Sequence, residues 1–121
     1  MSESFTVQRK PVRIPVPGNK LIEEFIGLAS TGHKQASVAH MIAPPNWSEP
    51  PQTPDFDEIT IMIRGKMQVL VNGESQVISA GEVILCNKNT EVQYSNPFDE
   101  ESEYWAICLP AFSVDSARRA D

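Results

Sequence analysis

The residues best suited to chemistry in this chain crowd into one passage. NWSEPPQTPDFDE, residues 46–58, holds Trp47, Glu49, Gln52, Asp55, Asp57 and Glu58. Two carboxylates such as Glu49 and Glu58 can share acid and base duties, or hold a hard cation such as Mn²⁺ or Mg²⁺. Trp47 or Phe56 would give the same site an apolar wall, and the acceptors would suit a cationic or polyhydroxyl ligand. A solvated acidic loop is the plainer reading of this composition. His33 and His40 are the only histidines. His33 follows Thr-Gly and is expected in an exposed loop. His40 sits in SVAHMIA, where alternation leaves its side open: Val38, His40 and Ile42 form one plausible set, Ala39 and Met41 the other. Pointing inward, it would be the one imidazole available to a cavity, as base or ligand.

These residues need strands to position them. Period-two alternation from Glu58 puts Glu58, Thr60 and Met62 on one side and Ile59, Ile61 and Ile63 on the other. Gly65 marks a turn, and Asn72-Gly73 suits a type I′ hairpin, whose two central residues need positive φ. Further strands are expected at residues 75–78, 83–86 and 91–95, then in EYWAICL. On the strand ending at Asn96, the residues Val92, Tyr94 and Asn96 share a side. Strands at these intervals with no helices between them suggest an antiparallel barrel or jelly roll. Before them, residues 5–16 read as an extended arm that either forms an edge strand or crosses to a partner subunit, since Pro11 and Pro15 forbid a central strand. The segment GNKLIEEFIGLAS reads as one short α-helix, Asn19–Ala29, with Asn19 as cap and an apolar stripe at Leu21, Ile22, Phe25, Ile26 and Leu28. The tail SVDSARRAD is expected to fray or lie on the surface.

The chain has 121 residues, 40% of them apolar and 21% charged, and a formal net charge of −6. That length suits one domain, 1–121: arm and helix at 1–35, barrel at 36–112, tail at 113–121. An acidic chain repels nucleic acid and anionic membranes, so neither is expected as a partner. No apolar run reaches membrane-spanning length, and the N-terminal residues lack a signal-peptide core. Cys86 and Cys108 lie in apolar runs and read as buried free thiols. The expected compartment is the cytoplasm.

The spacing of Glu58 and Gly65, with six residues between them, resembles the second half of the first cupin motif. Gly81 and Asn96, fifteen positions apart, resemble the ends of the second cupin motif, and the Asn-Gly hairpin falls between them. The resemblance covers about residues 36–112. The lead VPGNKLIEEFIG and the ending CLPAFS resemble the small ethanolamine-utilisation-like members. It implies an all-β cupin jelly-roll barrel of the RmlC-like superfamily, with the arm and helix in front. It also implies that the Glu58 side faces the interior, with Thr60, Tyr94, Asn96 and Gln52.

The cupin metal histidines are missing. Their positions fall on Gln52 and Pro54, or on Pro51 and Thr53, and on Val92. Glu58 alone survives of the four usual ligands, so no metal ligand set is assigned and the cofactor stays open. The leading expectation is therefore a barrel that binds a small polar metabolite, with possible isomerase- or lyase-type acid–base chemistry at Glu58 and Tyr94. Gln52, Glu49, Trp47, Thr60, Asn96 and His40 would bind the ligand. Two rivals remain: a metal-dependent enzyme using Glu58, Gln52, Glu49 and His40, and a structural barrel with no site. The outward isoleucines and the arm need burial, so a homodimer is expected.

Overall fold

The computed structural model describes residues 4–120. The first three residues of the expected arm, and Asp121 of the expected tail, lie outside them. Two antiparallel sheets build the barrel. The larger has the order β1 (Val12–Arg13), β2 (Leu21–Ile26), β3 (Ser37–Ala43), β10 (Ser102–Leu109), β5 (Asp57–Arg64) and β8 (Val83–Cys86). The smaller has the order β4 (Trp47–Ser48), β9 (Val92–Asn96), β6 (Lys66–Val71) and β7 (Glu74–Ser79). One apolar cluster joins them: Met62, Cys86 and Tyr104 from the larger sheet pack with Met67, Val69 and Val92 from the smaller. This is the jelly roll that the strand spacing implied.

Alternation decides what faces the interior. On β5, Thr60 and Met62 are buried while Ile63 is exposed. On β10, Ser102, Tyr104, Ala106 and Cys108 are buried, and Trp105 and Ile107 face outward. The Asn72-Gly73 corner joins β6 to β7 with both residues at positive φ, 48° and 83°, as a type I′ turn requires. Gly65, between β5 and β6, has φ 78°, and a Cβ there would collide with the Glu101 backbone carbonyl.

The segment expected as a helix, Asn19–Ala29, is strand β2. Its apolar residues fit both periods, and the strand wins because both faces find partners. Leu21, Glu23 and Phe25 point outward, where Phe25 stacks against Trp105 at 5.3 Å and Glu23 reaches His40. Glu24 points inward, and its Oε2 accepts from the Ala29 and Ser30 amides and the Ser30 hydroxyl of the following loop. Asn19, at φ 60°, belongs to a turn before the strand and does not cap a helix. The arm forms edge strand β1, pairing with β2.

The tail also departs from expectation. It carries the one short helix among the described residues, α1 (Val114–Ala117), capped by Ser113. It is tied to the 51–55 passage by three backbone bonds: Asp55 N–H to Ser116, Thr53 N–H to Arg118 and Ala120 N–H to Pro51. Ala117 is fully buried against Phe56 and Cys108. The tail is thus a lid on one end of the barrel.

Gly65→Ala should destabilise the fold by about 2 kcal/mol or more, because positive φ and a backbone collision add. Gly81→Ala, at φ 87° with open space around it, should lose only about 1 kcal/mol. Urea unfolding of both variants checks the order; equal losses would contradict the close approach at Gly65.

Candidate functional site

The barrel holds a narrow cavity of about 50 Å³. Four of the expected residues meet on it: Glu58 from β5, Tyr94 from β9, and Glu49 and Gln52 from the proline-rich passage. Further polar groups join them: Lys20 from the turn before β2, Glu24 from β2, Ser37 from β3, Tyr104 from β10 and Arg119 from the tail.

Glu58 is the centre of the electrostatics. Its Oε1 accepts a hydrogen bond from the Tyr94 hydroxyl at 3.1 Å. Enclosure disfavours the charged carboxylate, and Glu49 adds repulsion. Against these the Tyr94 bond, Lys20 and Arg119 pull the other way, and the result is a pKa pushed up to about 7. Burial also raises Glu49, offset partly by Lys20 and Arg119. Lys20 is brought down to about 8, chiefly by burial, against the pull of Glu49 and Glu58. Its ammonium lies 4.0 Å from the Trp47 ring centroid and 5.3 Å from that of Tyr104, a cation–π arrangement. The Tyr104 hydroxyl is buried without a hydrogen-bond partner. Gln52 is fixed by paired backbone bonds to Val92, 2.8 Å each way, and its Oε1 accepts from Arg119 Nε at 3.4 Å.

The other expected residues lie elsewhere. His40 faces outward: its Nε2 lies 2.7 Å from Glu103 and its Nδ1 3.2 Å from Glu23, with Trp105 alongside. The register decides this, because His40 pairs with Trp105 and Glu23 on the outer side of β3. His40 is therefore not a cavity ligand; it bridges Glu23 and Glu103 on the outer face. Asn96 is buried but not on the cavity. Its amide donates to the carbonyls of Ala43, Pro44 and Glu100, and its Oδ1 accepts from the Phe98 amide, so it clamps loops. Thr60 is fully buried and is not part of the cavity wall. Trp47 walls a shallower outer pocket.

Lys20, Tyr104 and Arg119 were missed for identifiable reasons. Lys20 was absorbed into a helix and Arg119 into a loose tail. Tyr104 lies in the closing run EYWAICL, where the period-two pattern of β10 sends it and Trp105 to opposite faces.

A transition metal of the cupin kind does not fit these residues. The histidine positions fall on Gln52 and Pro54, or on Pro51 and Thr53, and on Val92; His33 and His40 both lie outside the cavity, and the groups facing Glu58 include two cations of the chain itself. Among the described residues no three His, Cys, Asp or Glu side chains converge as a ligand set.

Comparison with known proteins agrees with the architecture. Residues 30–112 match the family model of the ethanolamine utilisation protein EutQ. The chain belongs to that family. The fold matches the Clostridium difficile EutQ protein with a TM-score of 0.64 at 19% identity, over 84% of this chain and 78% of that one. It also matches a cupin 2 conserved barrel domain protein from Salinispora arenicola, TM-score 0.71 at 18% identity, over 88% and 92%. The barrel is an RmlC-like cupin. By sequence the chain is 46% identical over 109 residues to a Myxococcus xanthus protein named endoribonuclease YbeY. Those residues are 90% of this chain but 37% of that protein, and the named activity belongs to the whole of it. No helix among the described residues is long and apolar enough to cross a membrane.

The proton on Glu58 gives a stability test. The folded chain keeps it up to about pH 7, whereas an ordinary carboxyl of pKa 4.5 releases it sooner. The contribution is therefore full below about 4.5 and is lost as pH rises through 7, up to about 3 kcal/mol. Glu58→Gln removes it, so the variant should gain on wild type between about pH 5 and pH 8. Urea midpoints at both pH values check this; parallel changes would show that Glu58 is not enclosed.

Proposed function

We propose that the chain binds a small polar metabolite in the barrel cavity and performs non-redox acid–base chemistry on it, of the isomerase or lyase type. The carrying observation is the enclosed Glu58, hydrogen-bonded by Tyr94 and titrating near 7. A group with that pKa can both take and return a proton at neutral pH, which is the requirement for general acid–base catalysis. Glu58 is the proton-transfer group. Tyr94 is a positioning residue, since its hydroxyl proton is committed to Glu58. Lys20, in the same cavity, would stabilise negative charge developing on a substrate oxygen. An RNA substrate forms no part of this reading: the chain carries net −6 and its reactive groups lie inside a barrel that a duplex or strand cannot enter.

Thermal melting against a panel of polar metabolites at neutral pH tests it. At least one compound should raise the melting temperature of wild type, and Glu58→Gln should lose that response while keeping its fold. Tyr94→Phe removes the hydrogen bond that lowers the Glu58 pKa, so the Glu58 carboxyl resonance in NMR should titrate at higher pH. No response in wild type across the panel, or the same response in Glu58→Gln, would defeat the proposal.

The expected homodimer is also kept as a proposal, with a second copy of this chain on the outer face of the larger sheet. Among the described residues no helix covers that face. Ile63, Val83 and Leu85 are 48%, 57% and 56% exposed there. Arg64 beside Glu101 and Glu103 supplies both signs of charge on one edge, as a self-complementary interface needs. Light scattering should give twice 13.4 kDa, and Leu85→Glu should give the single mass. A wild type that stays at the single mass at high concentration would remove the idea.

A further inference from the structure

Lys20 is the charge that the acid–base reading explains least. A lysine on a small barrel ordinarily lays its stem on apolar surface and keeps its head in water. This one turns inward. Among the described residues its ammonium makes no hydrogen bond and no ion pair; its contacts are the faces of Trp47 and Tyr104 and the field of Glu49, Glu58 and Arg119. It also stands at an entrance: Lys20, Ile22, Glu49 and Arg119 wall both the inner cavity and the shallow pocket outside it.

Three neighbours complete the chemistry of an enclosed amine. Glu58 faces the same cavity and exchanges protons near neutrality. The buried Tyr104 hydroxyl has no partner and can donate to an oxygen bound there. Arg119 spends its Nε on Gln52 and leaves guanidinium N–H groups at the mouth for a carboxylate. Burial brings the amine to about 8, so about a tenth of it is unprotonated at pH 7, and an amine desolvated in this way is a nucleophile.

We infer that Lys20 captures a small carbonyl compound, an aldehyde or a 2-oxo acid, as an imine on its side-chain nitrogen. The nitrogen lone pair forms the C–N bond as the carbonyl π pair moves to oxygen, which takes a proton from the cavity acid. The nitrogen returns one proton to that acid as the carbinolamine forms; the carbinolamine oxygen then takes a second proton and leaves as water, and the nitrogen gives its remaining hydrogen back to the same group as C=N forms. Nothing is oxidised or reduced. The inference rests on the cavity being the ligand site but not on Glu58 turning a substrate over.

The test is reductive trapping on the full chain at pH 7 with glyoxylate and cyanoborohydride, followed by peptide mass mapping. Lys10, Lys34, Lys66 and Lys88 are all exposed and serve as controls within the same molecule. Lys20 should be modified roughly tenfold faster than any of them. Lys20→Met should abolish the fast phase, and Glu58→Gln should slow it while leaving Lys20 the modified residue. Modification of Lys20 no faster than the exposed lysines, or none at all, overturns the inference. Wild-type selectivity alone decides this should Lys20→Met fail to fold. Fast trapping together with an unaltered metabolite response in Glu58→Gln would uphold Lys20 and defeat the acid–base reading, so the two failures are distinct.

Discussion

Two opposite charges share one enclosed space without touching. Lys20 and Glu58 both line the cavity and attract each other through it, yet they form no ion pair. Each is thereby held near neutrality in its proton affinity, since burial acts against both charged forms and the distant partner compensates only in part. A direct buried pair would lock both groups in their charged states and fill the cavity with a salt bridge. Separation leaves space between them, and the surrounding polar groups serve that arrangement: Tyr94 holds Glu58, the aromatic faces of Trp47 and Tyr104 hold Lys20, and Gln52 holds Arg119.

The same arrangement explains how a cupin barrel can lose its histidines and keep a polar interior. A cluster of carboxylates in a barrel needs positive charge. In this chain the positive charge is covalent: one cation arrives from the turn before β2 and another from the tail. Both come from segments outside the motif-bearing strands, so the loss of the histidines does not leave Glu58 without a compensating charge.

Much of the barrel was legible because strands obey a short-range rule. Alternation around Glu58 and around Tyr94 fixed which residues share a face, the cupin resemblance implied which face looks inward, and Asn72-Gly73 and Gly65 fixed the corners. The parts that were not legible depend on distant partners. LIEEFI fits a helix as well as a strand until Trp105, His40 and the Ser30 loop are available to cover its faces. The side taken by His40 is set by register with β10, sixty residues away in the chain. Arg119 reaches the cavity only because α1 and its flanking backbone bonds fold the tail over the 51–55 passage. The polar half of the site that came from the motif strands was therefore readable, and the cationic half was not.

The mouth of the cavity is built from opposite ends of the described chain: Lys20 follows the arm, and Arg119 sits on the tail. Chain ends open locally at lower free energy than the strands of a barrel. Backbone bonds to the 51–55 passage, the side-chain bonds of Arg118 and Arg119 and one buried alanine hold the tail, so exchange of the cavity with solvent has a route that leaves both sheets intact. A ligand resting against Arg119 would in turn tighten the tail, by the reciprocity that links binding to local order. Protease resistance and amide-exchange protection at residues 113–120 would then follow occupancy of a cavity whose walls do not themselves move.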